Sequence, residues 1–96
     1  MIGRPVIVLF TRVPVAGAVK TRLAPALSPD DRARLQWEMA CDCARHIACV
    51  PADLAVHYGG EWRRAPEGAA VRDAFVASLR DAYAGRGAGG FRAREQ

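Results

Sequence analysis

Cysteine is scarce and badly placed for cross-linking. The chain has three, Cys41, Cys43 and Cys49, all within nine residues. An odd count leaves one thiol over and so tight a spacing staples nothing, which excludes a disulfide-framed fold. Long apolar runs are missing too. The run from Pro5 to Phe10 gives way at once to Thr11 and Arg12, whereas a membrane helix needs about 20 apolar residues and a secretory signal needs a longer apolar core with a small-residue cleavage site. The expectation is a cytoplasmic protein in a reducing setting, with no membrane partner. Aromatic residues make up only 7% of the chain and do not line up as a stacking platform for nucleic acid. No internal repeat is present.

What remains is an ordinary globular composition. Of the 96 residues, 51% are hydrophobic and 25% charged, which excludes a disordered or fibrous chain. A chain this short makes one small domain, burying about 64% of the surface it exposes when unfolded. Fourteen basic against ten acidic residues give a net charge of +4. That balance favours anionic partners without choosing between nucleotide, nucleic acid and lipid.

Val6 to Phe10 is continuously apolar and reads as a strand buried on both faces, as inside a parallel sheet. A long loop follows, broken by Pro14, Gly17 and Pro25. Ser28-Pro29-Asp30-Asp31 then offers a capping hydroxyl, a proline suited to a first helical position and two carboxylates for the positive helix end. Leu35, Met39, Cys43 and Ile47 recur every fourth residue beyond it, flanked by Ala40 and Ala44, which predicts their stripe as the buried face of an amphipathic helix of about five turns. Asp53 to Tyr58 reads as a second strand, closed by Gly59-Gly60. Strand, helix and strand in this order predict a parallel βαβ unit. Ala69 to Ala84 reads as a second helix with Val71, Phe75 and Leu79 inward, and residues 85–96, rich in glycine and arginine, read as a disordered tail.

The long loop leaves a buried parallel strand, where open α/β sheets place their ligands. It satisfies neither common phosphate signature. The dinucleotide fingerprint needs three glycines and Gly17 stands alone; the Walker A pattern needs a glycine before Lys-Thr, and Val19 occupies that position. Its chemistry still suits an anion. Gly17 permits close backbone approach, Lys20 and Arg22 bring cations, and Thr21 adds a hydroxyl. The bland alternative is a solvated basic loop, pinned to the core by Val13, Val15 and Leu23.

Phe10 to Ser28, F-T-R-V-P-V-A-G-A-V-K-T-R-L-A-P-A-L-S, resembles the opening signature of a bacterial family described as radical-SAM/selenodomain-associated transferases, within the GT-A glycosyltransferase-like superfamily. Pro14, Gly17, Lys20, Thr21, Arg22, Leu23 and Pro25 match as they stand, and Ala16 replaces a proline. The Thr-Arg-Leu-x-Pro part is also similar to the nucleotide loop of sugar-phosphate nucleotidyltransferases and of a guanylyltransferase that activates phospholactate. The resemblance is specific over about twenty residues and extends, by its element order, to the second strand.

The resemblance implies the fold class α/β: part of a nucleotide-diphospho-sugar transferase (GT-A, Rossmann-like) fold, a parallel βαβ unit plus a second helix. Residues 1–84 would form the N-terminal part of that domain. It implies a nucleotide or nucleotide-sugar partner, bound by Arg12, Gly17, Lys20, Thr21 and Arg22, and a divalent metal, Mg or Mn. The chain departs from the family at that last point. No Asp-x-Asp or Asp-Cys-Pro follows the loop, so the metal ligands are not in this chain. The expectation is a truncated N-terminal portion, inactive in catalysis on its own, with an oligomeric or complementing polypeptide to complete its sheet. The rivals are a nucleotidyltransferase relative using a nucleoside triphosphate and, from another class, a small basic nucleic-acid-binding or interaction module.

Other residues invite sharper readings that plainer ones match. Cys41-x-Cys43-x-x-His46-x-x-Cys49 suggests zinc, but positions 41 and 43 lie about 160° apart on a helix, with Cys43 on the expected core stripe and Cys41 off it. His57 near a strand end suggests a general base or a plain strand residue. Trp62 with Arg63 and Arg64 suggests base stacking or a half-buried loop tryptophan.

Overall fold

The computed structural model describes residues 5–16, 27–84 and 90–96. Of the long loop, only its beginning and Leu27, its last residue before Ser28, fall among them. The elements run β1 (Val6–Arg12), α1 (Pro29–Ile47), β2 (Asp53–Gly59), a 3-10 turn (Trp62–Arg64), α2 (Gly68–Ala84) and β3 (Phe91–Glu95). β1 and β2 pair in parallel from Val6 opposite Asp53 to Arg12 opposite Gly59. β2 and β3 pair in parallel from Leu54 opposite Phe91 to Tyr58 opposite Glu95. The sheet order is β1-β2-β3, so the described residues form a small α/β domain with a three-stranded parallel sheet and two α-helices.

The start of α1 follows from its residues. The Ser28 hydroxyl accepts from the Asp31 amide at 3.1 Å, Pro29 opens the first turn, and Asp30 and Asp31 sit at the positive helix end. The helix stops at Ile47, and the Ala48 amide closes on Ala44.

The face α1 buries differs from the expected stripe. Ala40, Cys41 and Ala44 are buried, whereas Met39 and Cys43 are exposed. Small side chains let the helix lie close on α2, and that approach decides the rotation. The larger Trp37 then meets Phe75 of α2 edge-on at 5.3 Å. α2 turns Phe75, Leu79 and Tyr83 inward against Leu54 and Val56 of the central strand. Leu9 of β1 and Phe91 and Ala93 of β3 pack against the same cluster. Both helices therefore cover one face of the sheet. Full burial of Phe75 or Leu79 stabilises by about 2 kcal/mol each.

Two further expectations need correcting. β1 is buried on one face only: Val6, Val8 and Phe10 are 42%, 43% and 64% exposed. Apolar continuity cannot say which face is covered, and both helices lie on the other side. Residues 90–96 are not a disordered tail, and the domain does not end at 84. Phe91–Glu95 forms β3, the Gly90 amide donates to Asp53 Oδ1 at 2.8 Å, and the Gln96 amide donates to Tyr58 O at 2.8 Å. Residues 85–89 lie outside the described ones.

A second small core closes the carboxyl edge of the sheet. Val13, Val15 and Trp62 are buried together, with Tyr58, Ala65 and Val71 around them. This core pins the first residues of the long loop. Gly68 belongs here by necessity, because a Cβ at that position would meet the Trp62 carbonyl oxygen at 1.6 Å. No described helix is long and apolar enough to cross a membrane.

Candidate functional site

The carboxyl ends of the strands form the edge where a parallel α/β sheet places ligands. Each helix that follows a parallel strand runs back antiparallel to it, so the N-termini of α1 and α2 lie at this edge and lend it positive potential. Arg12 ends β1 there, exposed and opposite Gly59. Gly60 has φ +97°, and a Cβ on it would lie 3.4 Å from the Arg12 Cβ. The β2 end thus turns tightly beside Arg12 through a conformation that glycine adopts readily.

Of the expected anion ligands, the structure places only Arg12. Gly17, Lys20, Thr21 and Arg22 lie outside the described residues. Val13 and Val15, which begin the same loop, are buried, as in the plainer reading of a basic loop pinned to the core.

The structure adds one residue that the sequence did not single out. Arg32, in the first turns of α1, is only 7% exposed. It donates from Nη1 to Leu27 O, its Nε has no partner, and no carboxylate pairs with it among the described residues. Its place follows from Gln36, whose Nε2 donates to Thr11 Oγ1 at 2.9 Å. Arg32 lies one turn earlier on the same helix face, about 6 Å nearer the helix N-terminus. Its guanidinium is held to Leu27 O, at the end of the loop that enters α1. A buried guanidinium without a carboxylate is costly unless an anion offsets it. The hint in the sequence was a cation one turn into a helix on the phase of Gln36, and periodicity alone reads such a residue as solvated.

An open groove of about 360 Å³ adjoins this region, lined by Pro14 of the loop and by Ala33, Arg34, Trp37 and Glu38 of α1. It offers an indole wall beside the departing loop.

Two carboxylates at this edge are engaged, whereas Asp30 and Asp31 stand exposed in the first turn of α1. Glu95 accepts a bidentate pair of hydrogen bonds from Arg63, and Glu61 pairs with Arg64 at 2.7 Å. No group of three or more His, Cys, Asp or Glu that could hold a metal ion occurs among the described residues. The described residues therefore do not fit the divalent ion that the resemblance implies.

Three other residues find structural places. Trp62 is buried, with the Arg63 and Arg72 guanidiniums 4.5 and 4.7 Å from its ring centre, so cations rather than a base stack on it. His57 meets Phe10 edge-on at 5.3 Å, on the sheet face away from the helices. The cysteines do not converge: Cys41 is buried, and Cys43 and Cys49 are exposed. Burial pushes the Cys41 thiol up, against a smaller downward pull from Arg45. Comparison with protein-family models, with curated proteins and with solved structures finds no match.

Proposed function

We propose that this chain carries the phosphate-binding part of a nucleotide-sugar-dependent transferase of the GT-A type. The observation that supports this best is the buried Arg32 of α1, which has no carboxylate partner among the described residues; the loop bearing Gly17, Lys20, Thr21 and Arg22 runs from the carboxyl end of β1, beside Arg12, to this helix. In this reading the diphosphate lies over that edge. Lys20 acts as a mobile point charge and Arg22 grips phosphate oxygens in bidentate fashion. Gly17 admits the phosphate close to the backbone, and Thr21 donates its hydroxyl. Arg12 and Arg32 supply fixed positive charge, with the N-terminus of α1 behind them. Together these groups stabilise negative charge as it grows on a departing nucleoside diphosphate. The acceptor site and the metal ligands belong to residues other than those described. This chain alone binds the donor and does not turn it over.

A nucleotidyltransferase would use the same groups on the triphosphate of a nucleotide. Calorimetric titration with nucleoside diphosphates, triphosphates and sugar nucleotides, each with and without magnesium or manganese, separates the two. Preference for a sugar nucleotide or diphosphate supports the transferase. Preference for a triphosphate supports its rival, and no heat with any nucleotide sinks both.

A further inference from the structure

The face of the sheet away from α1 and α2 is built as a surface to be covered. Alternate residues of each strand point to it, and the register lines them up in rows. Val8 stands opposite Ala55 and Ala55 opposite Arg92; Phe10 stands opposite His57 and His57 opposite Arg94. One side of the face is therefore apolar, through Val6, Val8 and Phe10, all well exposed. The other side carries two exposed guanidiniums that pair with no carboxylate among the described residues. A groove of about 380 Å³ runs between them, floored by Ala55 and His57.

Parallel sheets are almost always covered on both faces, and by helices. The charge pattern narrows the choice of cover. A second copy packed face to face by a two-fold axis sets Arg92 and Arg94 either against their own counterparts or over Val8 and Phe10. Neither arrangement balances the arginines: Asp53, at the far end of the face, already accepts from the Gly90 amide and offers each copy at most one carboxylate for two guanidiniums. Burying an unpaired guanidinium opposes such a dimer. An amphipathic helix with acidic residues along one flank satisfies both sides at once: its apolar stripe covers Val6, Val8 and Phe10, and its acids meet Arg92 and Arg94.

We infer that this open face is the docking site for an amphipathic helix of a partner polypeptide, with an apolar stripe and an acidic flank. Strands of this length rise about 23 Å, which a helix of about 15 residues spans. The claim is independent of the nucleotide site, because it concerns the middle of the sheet rather than its carboxyl edge.

The test is fluorescence anisotropy of the full chain with a labelled amphipathic helix of about 18 residues, a leucine stripe flanked by glutamates, against an isomer with lysines in their place. The expected result is saturable binding of the glutamate peptide, at least tenfold tighter than the lysine isomer. The double variant Arg92→Glu with Arg94→Glu reverses that preference, and Phe10→Asp abolishes binding, while circular dichroism confirms that both variants are folded. Equal binding of the two peptides, or binding of neither, overturns the proposal. So does sedimentation showing a dimer that Phe10→Asp dissolves. Phe10-dependent binding to phosphatidylserine vesicles without peptide binding would assign the face to a membrane instead.

Discussion

Gln36 Nε2 donates to Thr11 Oγ1 at 2.9 Å, and this single bond fixes how the first half of α1 sits over the end of β1. Arg32 precedes Gln36 by one turn on the same helix, so the bond also bears on a buried guanidinium that is held to Leu27 O, where the loop enters α1. Replacing Gln36 by alanine is expected to loosen that alignment. It should weaken nucleotide binding several-fold while lowering stability by about 1 kcal/mol, as read by titration and urea unfolding in parallel.

Arg32→Met separates a binding role from a structural one. Methionine keeps the volume and removes a buried charge that has no carboxylate among the described residues. The ligand-free protein should keep its stability to within about 1 kcal/mol or gain, while nucleoside diphosphate affinity falls about tenfold. A large loss of stability with unchanged affinity would make Arg32 a purely structural residue.

β3 was not legible in the sequence, and the reason is physical. Phe91-Arg92-Ala93-Arg94-Glu95 has only two apolar residues, and its arginines resemble solvated charge until pairing with β2 sends them to one face. Ending the chain at Ala84 should therefore cost more than about 3 kcal/mol, from the lost burial of Phe91 and the bared edge of β2. Thermal unfolding of the shortened and full chains checks this; equal midpoints would return residues 85–96 to the status of a tail.

The cap at Ser28, the parallel pairing of β1 with β2 and the inward Phe75 and Leu79 were all legible, because capping chemistry and helical period are local signals. The buried face of α1 was legible only in part. Ala40 and Ala44 flanked the expected stripe, but Met39 and Cys43 turn outward, because the close approach of the helix to α2 selects the small residues. Part of the site was legible for the same reason: Arg12 and its loop form a contiguous motif, whereas Arg32 enters only through the packing of Gln36 on Thr11.

The cysteines report that rotation directly. Cys43 and Cys49 are exposed and Cys41 is buried, with its thiol pushed up by desolvation. Mild alkylation at slightly alkaline pH should label Cys43 and Cys49 and spare Cys41, as read by peptide mass. A raised thiol value in the folded state means that the unfolded chain releases this proton first. Stability should accordingly fall as pH climbs through and above the ordinary thiol range.

Gly68→Ala tests the small core that pins the loop. A Cβ would lie 1.6 Å from the Trp62 carbonyl oxygen, so the 3-10 turn or the start of α2 must shift. The expected loss is about 2 kcal/mol, against the usual gain from alanine in a helix, and urea unfolding measures it.

The most direct test of the central claim is calorimetric titration of the full chain with a nucleoside diphosphate at low and moderate salt. Wild type is compared with Arg12→Ala, Lys20→Ala, Arg22→Ala and Arg32→Met. A phosphate site at the end of β1 gives saturable binding that weakens with salt and falls about tenfold in each variant. No binding by the wild type, or binding that all four variants retain, would contradict it.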